Sequence, residues 1–390
     1  MDLPLPDAAA LAHSQRLSTF LAEEIARQGG WMPFSRYMEL ALYAPGLGYY
    51  TAGARKFGAA GDFVTAPELT PLFAQALATQ IIPILEASAP VILEAGAGSG
   101  RLAADLLLAL ETQGHLPDQY LILELSPDLK ERQAATLAQA APHLADRVRW
   151  LERLPDTFSG LVLGNEVLDA MPVELVRWQG ETVAQQGVTW SHTAGFAWAD
   201  RPATGELARV AKNLAEEAGL SPEVTATGYT SEIGLAATAW TAAWGPILQR
   251  GALLLLDYGF PRREFYHPQR HQGTLMCHYR HQAHGEPFSY PGLTDITAHV
   301  DFTAVAEAGF QAGLEVAGYT SQGQFLLNCG LLERLAALDP ERPDYFRGAA
   351  AVQKLVQPQE MGELFKVIAL TKGLTTPLLG FARGDRSHTL

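Results

Sequence analysis

The stretch Val91–Arg101, V-I-L-E-A-G-A-G-S-G-R, constrains this chain more than any other. Apolar residues run into Glu94 and then into three alternating glycines, Gly96, Gly98 and Gly100. Leu102, Leu106 and Leu110 follow at a spacing that lines one face of a helix. The stretch reads as a buried strand, a sharp turn and a helix start. Glycines at such a turn admit positive φ and let a ligand approach the backbone closely. Dinucleotide folds use G-x-G-x-x-G, with the pyrophosphate at the helix N-terminus. Here the third glycine of that pattern would be residue 101, which is Arg. The pattern is E-x-G-x-G-x-G instead, and a carboxylate at the strand end suits a cationic ligand. We infer S-adenosyl-L-methionine (SAM), which carries an ammonium and a sulfonium; an ordinary glycine-rich turn is the alternative.

From Val91 onward, strand and helix patterns alternate. Strands are expected over Val91–Ala95, Tyr120–Leu125, Arg147–Leu151 and Leu161–Gly164, with helices over Leu102–Gln113 and Asp128–Ala140. This alternation predicts an α/β fold with a parallel sheet and right-handed crossovers. The next core strand, Ala252–Asp257, comes late. Before it, Pro172–Pro246 reads as an insertion, with a β-hairpin around Gly180 and a helix over Glu232–Gln249 that pairs Trp240 with Trp244. Gly259–Gly292 is too long for a plain connection and reads as a functional loop. A helix over Asp301–Ala308, a strand over Leu314–Tyr319, a helix over Gln324–Leu338 and a strand over Phe365–Thr371 complete the pattern.

Upstream, a helix over Leu11–Gln28 ends at Gly29-Gly30, and another spans Pro71–Glu86. Between them Trp31, Phe34, Tyr37, Tyr43, Tyr49, Tyr50, Phe57 and Phe63 form an aromatic segment, read as packing or as part of a site. The expected organisation is a lead-in over 1–86 that packs on the core, and a core over 87–372. The core carries insertions at about 172–246, 259–300 and 320–360, and a tail follows over 373–390.

The chain's 390 residues, 48% of them hydrophobic, are enough for a large core. Its formal charge of −14 argues against nucleic-acid binding, which needs a basic face, and permits a basic partner. Cys277 and Cys329 form no C-x-x-C, so a reducing compartment is the simpler expectation. Met1–Ala12 carries Asp2 and Asp7 but no Lys or Arg, unlike a signal or transit peptide, and a cytoplasmic location is expected. No apolar run reaches the length of a membrane span.

In a doubly wound sheet, ligands bind outside the carboxyl ends of the strands. Glu124, after the second strand, is therefore the candidate for the ribose hydroxyls, with Leu125 beside it. Leu151 or Glu152, after the third strand, would lie near the adenine. The fourth strand runs into Asn165, Glu166 and Asp169, where a substrate should meet the methyl group; an Asn-capped turn with solvated acids is the alternative. Asn165 is taken as a cofactor contact, and Glu166 and Asp169 as the catalytic acids. Glu232 and His299 are further substrate-side candidates. His267, His271, His278, His281 and His284 do not match paired metal-ligand spacings, so no metal is expected.

Several motifs together resemble the MidA family of class I SAM-dependent methyltransferases. They are F-S-R-Y-M-E-L-A-L-Y (34–43), G-D-F-V-T-A-P-E (61–68), E-A-G-A-G-S-G (94–100) and L-E-L-S-P (123–127). G-N-E-V-L-D-A-M-P-V (164–173), D-Y-G-F (257–260), T-A-H-V-D-F (297–302) and E-M-G-E-L-F-K-V (360–367) continue the series. The resemblance implies a Rossmann-like, seven-stranded, mostly parallel sheet with an antiparallel last strand, SAM as methyl donor and, for mitochondrial members, symmetric dimethylation of a protein arginine. The partner it implies is an arginine-bearing protein; a homodimer is left open. A methyltransferase of small molecules and a SAM-binding assembly factor without catalysis are the rival readings.

Overall fold

The alternation that begins at Val91 builds one sheet. The strands along its main path are β1 (Val91–Ala95), β2 (Gln119–Leu123), β3 (Val148–Leu151), β4 (Phe158–Asn165), β5 (Leu248–Phe260), β6 (Glu315–Ser321) and β7 (Phe365–Lys372), and the short strand Val300–Asp301 pairs with β5 off that path. They lie in the order β3-β2-β1-β4-β5-β7-β6. The pairs from β3 through β5 are parallel, and β7 is antiparallel to both neighbours. This is the expected α/β architecture, with its antiparallel last strand. The central strands are apolar on consecutive residues because both sheet faces are covered. Leu161, Leu163, Leu254 and Leu256 bury one face, and Val162, Leu253 and Leu255 the other.

The structure, a computed structural model, describes residues 3–52 and 65–390. The chain divides into two units: Met1–Phe63, Asp169–Thr238 and Phe260–Asp301 form the first, and Val64–Leu168, Ala239–Gly259 and Phe302–Leu390 the second. The second unit holds the sheet core and the helices α1 (Pro71–Ala87), α2 (Arg101–Thr112) and α3 (Pro127–Ala140). Thr70 and Ser126 cap α1 and α3, accepting from Leu72 N and Leu129 N.

The first unit is built on an antiparallel sheet of Met32–Pro33, Thr182–Ser191, Glu174–Gln179, Tyr229–Ile233 and Gly195–Pro202. The hairpin expected around Gly180 is present, with Gly180 at φ +59°. Helix Phe34–Tyr43 buries Phe34, Tyr37 and Met38 against this sheet's Leu175 and Val188. Much of the aromatic segment is thus core: Trp31, Phe34, Tyr37 and Tyr49 are buried, while Phe57 and Phe63 lie outside the described residues.

Three local expectations are corrected. Glu232–Gln249 is not one helix, since Tyr229–Ile233 is a strand paired with 174–178, the helix runs Leu235–Ile247, and β5 starts at Leu248. Trp240 and Trp244 do meet on that helix, 5.9 Å apart. Gln324–Leu338 is two helices, Gln322–Asn328 and Leu331–Ala336, broken at Gly330 with φ +78°. The His-rich stretch read as a loop holds a hairpin, Met276–Tyr279 with Gln282–His284, joined antiparallel to Asp295–Thr297. Among the described residues, no helix is long and apolar enough to cross a membrane.

Candidate functional site

In the second unit β1 ends at Ala95 and the chain turns through Gly96, Gly98 and Gly100 at φ +63°, +52° and +81°. These values fall where side-chain-bearing residues are rare, so the glycines are a backbone requirement. A Cβ on Gly100 would stand 2.9 Å from the Cα of Gln133, and one on Gly96 would stand 3.2 Å from a methyl of Val167. Side chains hold this turn from two sides. Ser99 Oγ donates to the Glu68 carboxylate, and Thr136 Oγ1 donates to Ser99 O at 2.7 Å. Gln133 Nε2 donates to Gly98 O at 3.2 Å and to Glu124 Oε2 at 3.1 Å, while Trp150 Nε1 donates to Gln133 Oε1 at 2.8 Å.

Sequence reasoning missed Gln133, Trp150 and Glu68. For Gln133 a signal was available: it shares the buried face of α3 with Leu129 and Leu137 at intervals of four. A polar residue on an apolar helix face needs a partner. Here it is the link between the glycine turn and Glu124.

Glu94 is buried at the end of β1, and the Tyr120 hydroxyl donates to its Oε2 at 2.8 Å. Burial pushes this carboxyl up to about 7; the Tyr120 hydrogen bond opposes the rise and the nearby Glu124 charge adds to it. A cationic ligand at the glycine turn favours the ionised form, so its binding displaces a proton wherever the free protein carries one. Affinity for SAM is therefore expected to rise with pH up to about 7 and then level, by at most about tenfold per unit of pH. Calorimetry on wild type and Glu94→Gln checks this: the substitution should remove that part of the slope, and identical pH profiles for the two proteins would contradict it. The same raised value makes the ligand-free protein lose stability as pH rises from the ordinary carboxylate range through about 7, because folding favours the protonated acid.

Glu124 follows β2. Ser126 N donates to its Oε1 at 2.8 Å, and its own N donates to Leu151 O at 3.1 Å. Burial raises its pKa, and the hydrogen bonds from Ser126 and Gln133 hold it back. Each carboxylate oxygen can accept a further donor, so both ribose hydroxyls can be accommodated. Leu125, next in the chain, is 68% exposed, which leaves an apolar side chain available to a ligand. Glu152, by contrast, is exposed and accepts from Lys130 Nζ at 2.9 Å, a pair that lowers its pKa. Hydrogen bonds to a charged group contribute roughly 1.5–3 kcal/mol. Glu124→Ala should therefore weaken SAM by at least about tenfold. A deoxyribose analogue should lose little more in the variant; equal losses for both ligands would mean that Glu124 acts through the fold.

β4 ends at Asn165, and Glu166 follows at φ +54°. Such a value in a non-glycine residue is uncommon and marks a turn the surrounding structure enforces. Glu166 N donates to Leu256 O at 2.9 Å, and Asn165 Nδ2 donates to Glu166 Oε1 at 3.2 Å. Asn165 Oδ1 is buried and has no hydrogen-bond partner among the described residues. That orphan acceptor, the glycine turn without side chains and the Glu124 carboxylate at the neighbouring strand end suit a ligand such as SAM, which brings hydroxyl and ammonium donors.

Asp169, Glu232 and His299 belong to the first unit. Asp169 is buried, and Ala298 N donates to its carbonyl at 3.0 Å. Glu232 and His299 are brought together through Thr274. Thr274 N and Leu275 N each donate to Glu232 Oε1 at 2.9 Å, and Thr274 Oγ1 donates to Oε2 at 3.1 Å. His299 N donates to Thr274 Oγ1 at 3.0 Å, and the imidazole stacks on Phe260 at 5.4 Å. The Glu232 carboxylate, proposed for substrate, thus clasps the 273–275 turn. Among the described residues, no three His, Cys, Asp or Glu side chains stand where they could hold a metal ion.

Residues 76–320 match the family described as "Putative S-adenosyl-L-methionine-dependent methyltransferase". Two crystal structures of Burkholderia thailandensis proteins resemble the chain over the whole of both chains. One, solved with S-adenosyl-homocysteine bound, is 53% identical with a TM-score of 0.93; the other, a native structure, is 52% identical with a TM-score of 0.91. The mitochondrial protein arginine methyltransferase NDUFAF7 homologue of Drosophila melanogaster is 27% identical over 97% of this chain and 91% of its own. NDUFAF7 of Danio rerio is 27% identical over 90% of this chain and 85% of its own. With a family match across more than half of its length and the glycine turn and sheet order to go with it, the chain belongs to the SAM-dependent methyltransferases of this family.

Proposed function

We propose that the chain transfers the methyl group of SAM to arginine side chains of a protein. The observation that carries this reading is Glu166, an acid held at φ +54° where β4 ends, in a turn that abuts Gly96 through Val167. Two further facts support it: the relatives named protein arginine methyltransferases, and a formal charge of −14 that suits a basic partner.

SAM supplies an electrophilic methyl group. Gly96, Gly98, Gly100, Glu124 and Asn165 would hold it, with Leu125 and Leu151 beside the adenine. The remaining task is to position a nucleophile and stabilise its changing charge. A guanidinium is a weak nucleophile because its charge is delocalised and its pKa exceeds about 12. A carboxylate can take two of its N–H groups side by side and draw the positive charge toward those nitrogens. The third nitrogen then keeps more electron density. Glu166 supplies such a carboxylate, steadied by Asn165 Nδ2. The reading does not depend on Asp169, which falls in the other unit.

Tritiated-methyl SAM, the purified protein and a lysate from cells lacking it provide the test. The expected result is labelled protein that yields methylarginine on hydrolysis. Label in a small soluble product would overturn the reading in favour of a small-molecule acceptor. SAM binding without any transfer would favour an assembly factor.

A further inference from the structure

We infer that Asp257 is the positioning residue that fixes the turn after β4 for methyl transfer, an inference that rests on Glu166 as the carboxylate that holds the acceptor. In the sequence Asp257 ends the expected strand Ala252–Asp257 and opens D-Y-G-F, with no role of its own. In the structure it lies on β5, one residue beyond Leu256, which is in register with Asn165 of β4. Its side chain is 1% exposed. Oδ2 accepts from Val167 N at 3.1 Å and from Leu168 N at 2.8 Å, and Oδ1 accepts from Tyr258 N at 3.0 Å. Glu166 N donates to Leu256 O.

The N–H groups of residues 166, 167 and 168 are therefore all taken by two adjacent residues of β5. A peptide run fixed at three successive donors has little freedom at φ, and Glu166 is the residue in the left-handed region. The acceptor for two of those donors is a buried carboxylate, and charge-assisted hydrogen bonds are stronger than neutral ones. The clasp also sets how closely Val167 approaches the glycine turn, where its methyl lies 3.2 Å from the place a Gly96 Cβ would take. Asp257 thus fixes, without touching either ligand, the direction of Glu166 relative to the turn proposed for the cofactor.

Asp257→Asn keeps the shape and leaves one acceptor oxygen where there were two. The prediction is a folded protein with SAM affinity within about threefold of wild type and kcat lower by about thirtyfold or more, with faster amide exchange at Val167 and Leu168. A residue that acts through Glu166 should show non-additivity: in a Glu166→Gln background, Asp257→Asn should cost less than about threefold further. Unchanged kcat in Asp257→Asn, or losses that multiply in the double variant, would overturn the inference. A Glu166→Gln protein of full activity would instead overturn the Glu166 reading, which separates the two failures. If Asp257→Asn does not fold, Asp257→Glu keeps the charge and shifts the carboxylate by one methylene. It should bind SAM normally and lose kcat, and full activity in that variant would also overturn the inference.

Discussion

Gly98→Val is expected to abolish SAM binding in a protein that still folds. Gly98 sits at φ +52°, between two other glycines in the same left-handed region. A β-branched side chain there is strained and fills space that a ligand needs against the backbone. The carbonyl of Gly98 also accepts from Gln133, so a shift of the turn would disturb the partner that Gln133 shares with Glu124. The loss should exceed about a hundredfold in affinity, equivalent to about 2.7 kcal/mol. Calorimetry beside circular dichroism checks it. Normal affinity in a folded Gly98→Val protein would remove the glycine turn from the cofactor site.

Glu166→Gln is expected to keep SAM affinity within about threefold and to lose methyl transfer by at least about a hundredfold, the size seen when a positioned electrostatic group is removed. The amide keeps the shape and one acceptor but removes the charge that polarises a guanidinium. Single-turnover transfer to arginine-bearing protein, with SAM affinity measured in parallel, separates the two effects. An unchanged rate would remove the guanidinium-holding role, and a loss of SAM affinity as large as the loss in rate would make Glu166 a cofactor residue instead.

The core sheet was legible because its signals are local. A buried strand, three glycines at alternate positions and a leucine-faced helix are contiguous in sequence, and β1, the turn and α2 stand as expected. Glu124 and Asn165 were placed by a rule about strand ends rather than by contacts. What the sequence hid is what depends on distant partners. Tyr229–Ile233 is a strand because Glu174–Gln179 offers it an edge, and nothing near Glu232 signals that pairing. Nor does D-Y-G-F reveal that Asp257 accepts from Val167, ninety positions upstream. Gly330 broke an otherwise continuous helical pattern, a case where one backbone conformation outweighed periodicity.

The central claim is that the cofactor lies along the glycine turn of the second unit, with its ribose on Glu124. A crystal structure of this chain grown with S-adenosyl-homocysteine tests it most directly. The account predicts the amino-acid end of the ligand against Gly96–Gly100 and both ribose hydroxyls within hydrogen-bonding distance of the Glu124 carboxylate. A ligand seated elsewhere, or a ribose turned away from Glu124, would contradict it.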